Sequence, residues 1–289
     1  MLNNIPDEIV SFCEKTIGVV HTFEPASGGC INNGGKVVSD KGSFFIKWND
    51  ALKFPLMFTA ESRGLELLSQ PDCIQLPQVI GLHEGDEYSG LLLEYIDSAP
   101  RSPDFWKHLG QSLACMHQTS RDQYGLAHSN YIGSLKQCNG DELLWCDFLI
   151  NQRLRPQIEL AQEGNKITAE DVKKYEQLEK KLESIIHEEK PALIHGDLWN
   201  GNFMIGPKGN PVLIDPAVSY SHREMELAFT RLFGGFDQEF YDTYQEVLPM
   251  DPGFEERIEL YTLYPLLVHV NLFGGGYREQ AMNIINRFL

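Results

Sequence analysis

Two short stretches decide how this chain is read. They are Leu193-Ile-His-Gly-Asp197-Leu-Trp-Asn-Gly-Asn202 and Val212-Leu-Ile-Asp215-Pro-Ala217. Each is an apolar run that ends abruptly on polar residues, the pattern of a buried strand delivering side chains into a loop. Either one alone would be ordinary turn chemistry, because Asp and Asn often close turns and cap helices. Together they deliver two carboxylates and a carboxamide from strand ends. That is a hard-oxygen donor set suited to magnesium with phosphates.

In phosphoryl transfer one such aspartate orients the attacking hydroxyl while an asparagine and a second aspartate hold the metal. The spacing here resembles the kinase catalytic loop and its metal-binding aspartate, with His195-Gly-Asp in place of His-Arg-Asp and Asp215-Pro-Ala in place of Asp-Phe-Gly. Asp197 is then the catalytic candidate, and Asn202 and Asp215 the metal candidates. Suitable partners lie upstream. Lys47 ends the strand-like run Phe44-Phe-Ile-Lys-Trp48 and could hold ATP phosphates if an acid of the following helix oriented it; Glu61 is the natural choice and Glu66 the alternative. The cluster Ser27-Gly28-Gly29-Cys30-Ile31-Asn32 precedes that strand, and adjacent glycines let backbone N–H groups approach phosphates closely. Gly28, Gly29 and Cys30 are assigned to ATP on that ground. Glu94 and Ile96 end a further apolar strand, where their backbone groups could meet adenine.

The surrounding pattern has two parts. Up to about residue 97 it reads as short strands around one helix, Leu56 to Ser69, with a hairpin turning at Ser39-Asp40-Lys41-Gly42 and further strands near 78–82 and 90–96. Beyond Asp97-Ser-Ala-Pro-Arg-Ser-Pro103 it turns helical. Phe105, Leu109, Leu113 and Met116 recur at helical spacing, and Thr168-Ala-Glu-Asp171 is a capping-box start to a charged helix expected to run to about Glu189. The expected fold class is α+β in two lobes: a small antiparallel-sheet lobe over residues 1–97 that binds ATP, and a larger, mainly helical lobe over 98–289 that carries catalysis and substrate.

Composition narrows the function. With 41 acidic against 24 basic residues in 289, the formal charge of −17 argues against nucleic acid or anionic lipid as partner. No apolar run approaches the roughly 18 residues of a membrane span, and no signal peptide is expected in MLNNIPDEIV. The six cysteines include no C-x-x-C pair, so neither a zinc site nor a disulfide framework is expected, and the reading places the protein in a reducing cytoplasm.

Longer matches identify a family. His195-Gly-Asp-Leu-Trp-Asn-Gly-Asn202, Pro211-Val-Leu-Ile-Asp215-Pro-Ala, Ser221-His-Arg-Glu-Met-Glu-Leu-Ala228, Leu232-Phe-Gly-Gly-Phe236, Asn130-Tyr-Ile-Gly133 and Phe273-Gly-Gly-Gly-Tyr277 together resemble the fructosamine kinases (ketosamine 3-kinases). The resemblance implies a protein-kinase-like fold, ATP and Mg2+ as cofactors, and phosphorylation of the 3-hydroxyl of ketosamines. These are sugar adducts of free amines or protein lysines, and their 3-phosphates decompose to release the amine, a deglycation or repair role. It also implies Asp197 as base, Asn202 and Asp215 as metal ligands, and Lys47 with Glu61 as the phosphate-positioning pair. Substrate contacts are expected at Trp199 and Asn200, next to the base, and at His222 and Glu224 on the helix near Ser221. The alternatives are a kinase of the same fold for an aminoglycoside or amino alcohol, and a nucleotide-binding protein without catalysis. The presence of Lys47, Asp197, Asn202 and Asp215 together argues against the last.

Overall fold

The structure, a computed structural model, describes residues 5–26 and 32–289. The chain divides into two compact units. The first contains the residues up to Ser102 together with Met204–Asp215, and the second contains Pro103–Phe203 and Pro216–Leu289.

The first unit is built on an antiparallel sheet of five strands, β1 (Val20–Pro25), β2 (Asn33–Ser39), β3 (Gly42–Asp50), β4 (Val79–Glu84) and β5 (Tyr88–Glu94), in the order β1-β2-β3-β5-β4. The expected hairpin is β2–β3, closed by Asp40 and Lys41 between paired Ser39 and Gly42, whose φ of 120° needs a glycine. Side chains alternate across a strand, so β3 presents two faces. Ile46 and Trp48 join Val37 and Leu92 in a core completed by Ile9, Cys13 and Ile17 of helix α1 (Asp7–Ile17). Phe45 faces the other way, where Phe58 and Leu65 of helix α2 (Met57–Ser69) pack with Leu91 and Leu93.

The sequence reading missed α1. For α2 the spacing predicts a face of Leu56, Ala60, Gly64, Leu67 and Leu68; Ala60, Gly64 and Leu68 are buried, joined by Met57, Phe58 and Leu65, while Leu56 stands outside as the N-cap, 61% exposed. Strands Phe203–Ile205 and Pro211–Leu213 form a small hairpin. Leu213 N–H of its second strand (3.0 Å) and Nδ2 of Asn210 just before that strand (2.6 Å) both bond to Gln75, so the segment leading to Asp215 belongs to the first unit.

The second unit is mainly helical. Helix Phe105–His117 buries Phe105, Leu109, Leu113 and Met116 as the spacing requires. A Cβ at Gly110 would lie 2.5 Å from the Phe240 carbonyl, so this glycine lets helix Gln238–Val247 approach closely. Thr168 and Asp171 form the expected capping box. The helix it opens stops at Glu179, however, not near Glu189. Its later acids have other work: Glu188 accepts from the N–H groups of Trp145 (2.9 Å) and Cys146 (3.3 Å), and Glu189 pairs with Arg223. The chain then enters strand Ala192–Ile194, paired antiparallel with Ser219–Ser221.

Cys13, Cys138 and Cys146 are free thiols, whereas Cys73 and Cys115 are disulfide-bonded. Among the described residues no helix is long and apolar enough to cross a membrane.

The capping box gives a direct test. Thr168→Ala leaves the Asp171 N–H without its acceptor and should lower stability by about 1 kcal/mol in urea unfolding, with the m-value unchanged.

Candidate active site

In the first unit the site is organised by one buried ammonium. Lys47 is only 7% exposed, and its Nζ donates to Glu61 Oε1 at 2.7 Å and to Asp215 Oδ1. Three pieces of local structure bring these atoms together. The alternation of β3 turns Lys47 to the face covered by α2. Glu61 lies three residues after Phe58 and four before Leu65, on the buried stripe of α2, whereas Glu66 is exposed. Asp215 follows the strand anchored on Gln75 and adopts φ 57°, a left-handed conformation that Asp tolerates better than most side chains.

Burial alone would push the Lys47 ammonium towards neutrality, but the Asp215 and Glu61 carboxylates outweigh it and hold its pKa above the ordinary lysine range. Burial raises the Glu61 carboxyl against the pull of Lys47, and the nearby Asp215 carboxylate adds to that rise. One ammonium shared by two carboxylates leaves the ionised trio with an excess of one negative charge. The Asp215 side chain is 46% exposed, so a cation can reach that charge from solvent.

In the second unit, the strand Ala192–Ile194 runs into the turn His195-Gly196-Asp197. The backbone of this turn is fixed from two sides. Glu226, buried on helix Arg223–Thr230, accepts from His195 N–H (3.0 Å) and Gly196 N–H (2.6 Å) and also bonds His117 Nε2 (2.9 Å). Burial would raise this carboxyl, but His117, His195 and the Gly196 N–H together hold it below the usual carboxylate range. On the other side Ala217 N–H donates to the His195 carbonyl at 2.9 Å. Gly196 has φ 84°, and a Cβ there would sit 2.1 Å from the Ala217 oxygen. Only glycine fits.

Asn202 Nδ2 donates to the Asp197 backbone oxygen and to its Oδ2, both at 2.8 Å. The carboxylate is thereby oriented, and Oδ1 of Asn202 remains as a hard oxygen donor. Each unit thus presents hard oxygen of the kind a divalent cation with phosphate takes: the first the Asp215 carboxylate with its unbalanced negative charge, the second the Asn202 carboxamide oxygen. Among the described residues no cluster of three or more His, Cys, Asp or Glu is assembled for a metal.

The other residues singled out in the sequence fall in different places. Gly28, Gly29 and Cys30 lie outside the described residues. Glu94 ends β5 and accepts from Gln78 N–H at 3.2 Å through Oε2, while Ile96 is buried. Trp199 is half-buried, its ring edge-on to Phe233 at 5.9 Å, and Asn200 Nδ2 donates to Gly235 O at 3.1 Å. His222 and Glu224 point inward, each 1% exposed. Glu224 is bound by the Arg257 guanidinium. His222 lies against the rings of Trp145 and Tyr261, caps its helix by accepting from Glu224 N–H through Nδ1, and donates from Nε2 to His187 O at 3.2 Å. Both serve the interior of the unit. Glu226, by contrast, matters for the turn, and nothing in local sequence shows a carboxylate meeting an amide pair 30 residues away.

Comparison with known proteins places these features. The family model described as fructosamine kinase matches residues 2–289. A Synechocystis protein named probable ketoamine kinase is 40% identical over 267 residues, covering 91% of this chain and 88% of that one. The chloroplastic protein-ribulosamine 3-kinase of indica rice is 38% identical, covering 91% and 77%. A crystal structure from Thermobifida fusca, provisionally named a fructosamine-3-kinase, superposes with TM-score 0.88 at 32% identity, covering 97% and 98%. The aminoglycoside phosphotransferase APH(4)-Ia shares the fold, with TM-score 0.63 at 14% identity.

Two outcomes test this geometry. Gly196→Ala should destabilise the second unit by more than about 2 kcal/mol through the clash and the left-handed φ, read by thermal unfolding. Burial holds the His222 ring down at about 3, with the cations of Arg223 and Arg257 adding to the effect. The unfolded chain binds that proton below about pH 6.5, so stability should fall as pH drops from about 6.5 to 3. His222→Gln should be less stable at neutral pH yet lose less on acidification, read as urea midpoints at about pH 7.5 and 4.5.

Proposed function

Because the chain belongs to the fructosamine kinase family, we propose that it transfers the γ-phosphoryl group of ATP to the 3-hydroxyl of ketosamines, small or attached to protein lysines, with Mg2+ as the metal. It is a phosphotransferase acting on ketosamines. The observation that carries the residue assignment is the geometry around two side chains: Lys47 held by Glu61 and Asp215, and Asp197 oriented by Asn202.

Asp197 takes the proton of the attacking hydroxyl. Its carboxylate is fixed by Asn202 Nδ2, and its backbone is set by the turn that Glu226 and Ala217 hold. A positioned base of this kind contributes about 10²–10⁴-fold in rate. Lys47 meets the ATP phosphates. Glu61 prevents its long side chain from swinging away, and burial strengthens the ion pair by excluding water. Asn202 of the second unit and Asp215 of the first are the residues that would hold the divalent cation, whose charge, when bound, would stabilise the transferring group. The ATP-binding role extends to the glycine-rich stretch Gly28-Gly29-Cys30 and to the backbone of Glu94 and Ile96. These groups belong to an ATP-binding lobe of residues 1–97, joined to a catalytic and substrate-binding lobe of 98–289. Trp199 and Asn200 contact the sugar, while His222 and Glu224 support the lobe from within. The excess of acidic residues suits a substrate bearing an ammonium.

The test is nucleotide consumption with magnesium over a panel of ribulosyl-lysine, fructosyl-lysine, an aminoglycoside and choline. Turnover is expected on a ketosamine, lost by at least about a hundredfold in Asp197→Asn with ATP binding retained. Asp215→Ala should weaken magnesium–ATP binding as well. Turnover confined to the aminoglycoside or choline would discard the substrate, and full activity in Asp197→Asn would discard the base.

A further inference from the structure

The segment Asn130-Tyr-Ile-Gly133 was singled out in the sequence and has no part in the mechanism above. In the structure Asn130 belongs to a buried polar network with Gln137, Asn139, Arg153 and Tyr264, none more than 5% exposed. At its head stands Arg153, in the π-helical turn Leu149–Leu154, 1% exposed and without a carboxylate partner among the described residues. The Arg153 guanidinium lies over the Phe148 ring at 4.5 Å, and burial pulls its pKa below the ordinary arginine value. A buried cation with no counter-charge is costly, and it persists where something else requires it.

What it does is visible in the sense of each hydrogen bond. A guanidinium is a donor only. Arg153 Nη2 donates to Asn139 Oδ1 at 2.8 Å, which turns the Asn139 amide nitrogen away, to donate to Asn130 Oδ1 at 2.9 Å and His128 O at 3.1 Å. Asn130 Oδ1 is thereby fixed as an acceptor. Its Nδ2 must face the other way and donates to Val218 O at 2.8 Å. Gln137 is set from two directions: Tyr264 O–H donates to its Oε1 at 2.5 Å, and its Nε2 donates to Asn130 Oδ1 at 2.8 Å and to Ala217 O at 3.2 Å. Every carboxamide has one allowed orientation, and the chain of donors ends on two consecutive carbonyls, Ala217 and Val218.

Those carbonyls matter because the Ala217 peptide is the abutment of the catalytic turn. Its N–H holds His195 O, and its oxygen touches the space where Gly196 has no Cβ. Two residues earlier along the chain is Asp215. We propose that Arg153, Tyr264, Asn139, Asn130 and Gln137 form a one-way hydrogen-bond clamp that positions the Ala217–Val218 backbone, and through it the turn carrying Asp197. They are positioning residues, and the proposal rests on the phosphotransfer reading for its effect on rate.

Gln137→Glu tests the clamp because it keeps the volume and replaces the amide donor with a carboxyl oxygen. In the full-length protein, with ribulosyl-lysine and magnesium–ATP, kcat should fall roughly ten- to a hundredfold while both KM values stay within about twofold. Amide hydrogen exchange, which needs no activity, should speed up at Gly196 and Ala217 but not in helix Tyr277–Phe288. Gln157→Glu is the control for burying a carboxylate. Gln157 is 4% exposed in the same unit, and its Oε1 already accepts from Asn271 Nδ2. This control should lose stability and keep kcat. Unchanged kcat and exchange in Gln137→Glu, or losses equal to those of Gln157→Glu, would overturn the proposal. If Gln137→Glu does not fold, Tyr264→Phe decides, with a several-fold drop in kcat and faster Ala217 exchange for the clamp and unchanged values against it. Should the wild-type protein not act on ketosamines, the exchange comparison still judges the clamp while the reaction fails on its own.

Discussion

The first unit depends on placing an ammonium where water barely reaches it. An unpaired buried lysine would give up its proton or open the structure. Lys47 does neither because two carboxylates come to it, one 14 residues away in sequence and the other 168. The same three charges tie together β3, α2 and the segment that ends at Asp215. Satisfying Lys47 is therefore both a folding constraint and a way of preparing a site. The carboxylate surplus that remains costs stability in the empty protein, and a metal–phosphate ligand would offset it.

The second unit solves a different problem, which is to keep a carboxylate half-exposed on a backbone bonded from two sides. Asp197 is oriented by Asn202, but the turn beneath it is gripped through peptide groups alone. Glu226 takes two N–H groups and Ala217 takes a carbonyl. Gripping backbone leaves the carboxylate available for chemistry. It also explains why Gly196 is required, since the abutting Ala217 oxygen occupies the place of a side chain.

The sheet, the hairpin at Asp40-Lys41, the helix of Phe105 and the capping box at Thr168 were all legible from periodicity and turn chemistry, which are local properties. Lys47, Glu61, Asp197, Asn202 and Asp215 were legible as candidates because their spacing is unusual for strand and turn residues. What could not be read was whatever depends on distant pairing. Helix α1 was legible too, with Ile9, Cys13 and Ile17 recurring every four residues, and was overlooked. His222 and Glu224 stood beside the right motif and are turned inward by Trp145, Tyr261 and Arg257. The importance of Glu226 and Arg153 lies in peptide groups far along the chain, which no local pattern displays.

The membership of Met204–Asp215 in the first unit also bears on how the protein is made. A ribosome emits the sheet strands first, but the hairpin that bonds to Gln75 and the carboxylate that completes the Lys47 trio come only when 215 of 289 residues have been synthesised. Domains usually fold as units from the N-terminus during synthesis. Here the five strands are all present by Glu94, and it is the second carboxylate of Lys47 that comes only with Asp215. Nascent chains stalled in that interval would carry all five strands of the sheet beside a buried lysine that has met one of its two carboxylates.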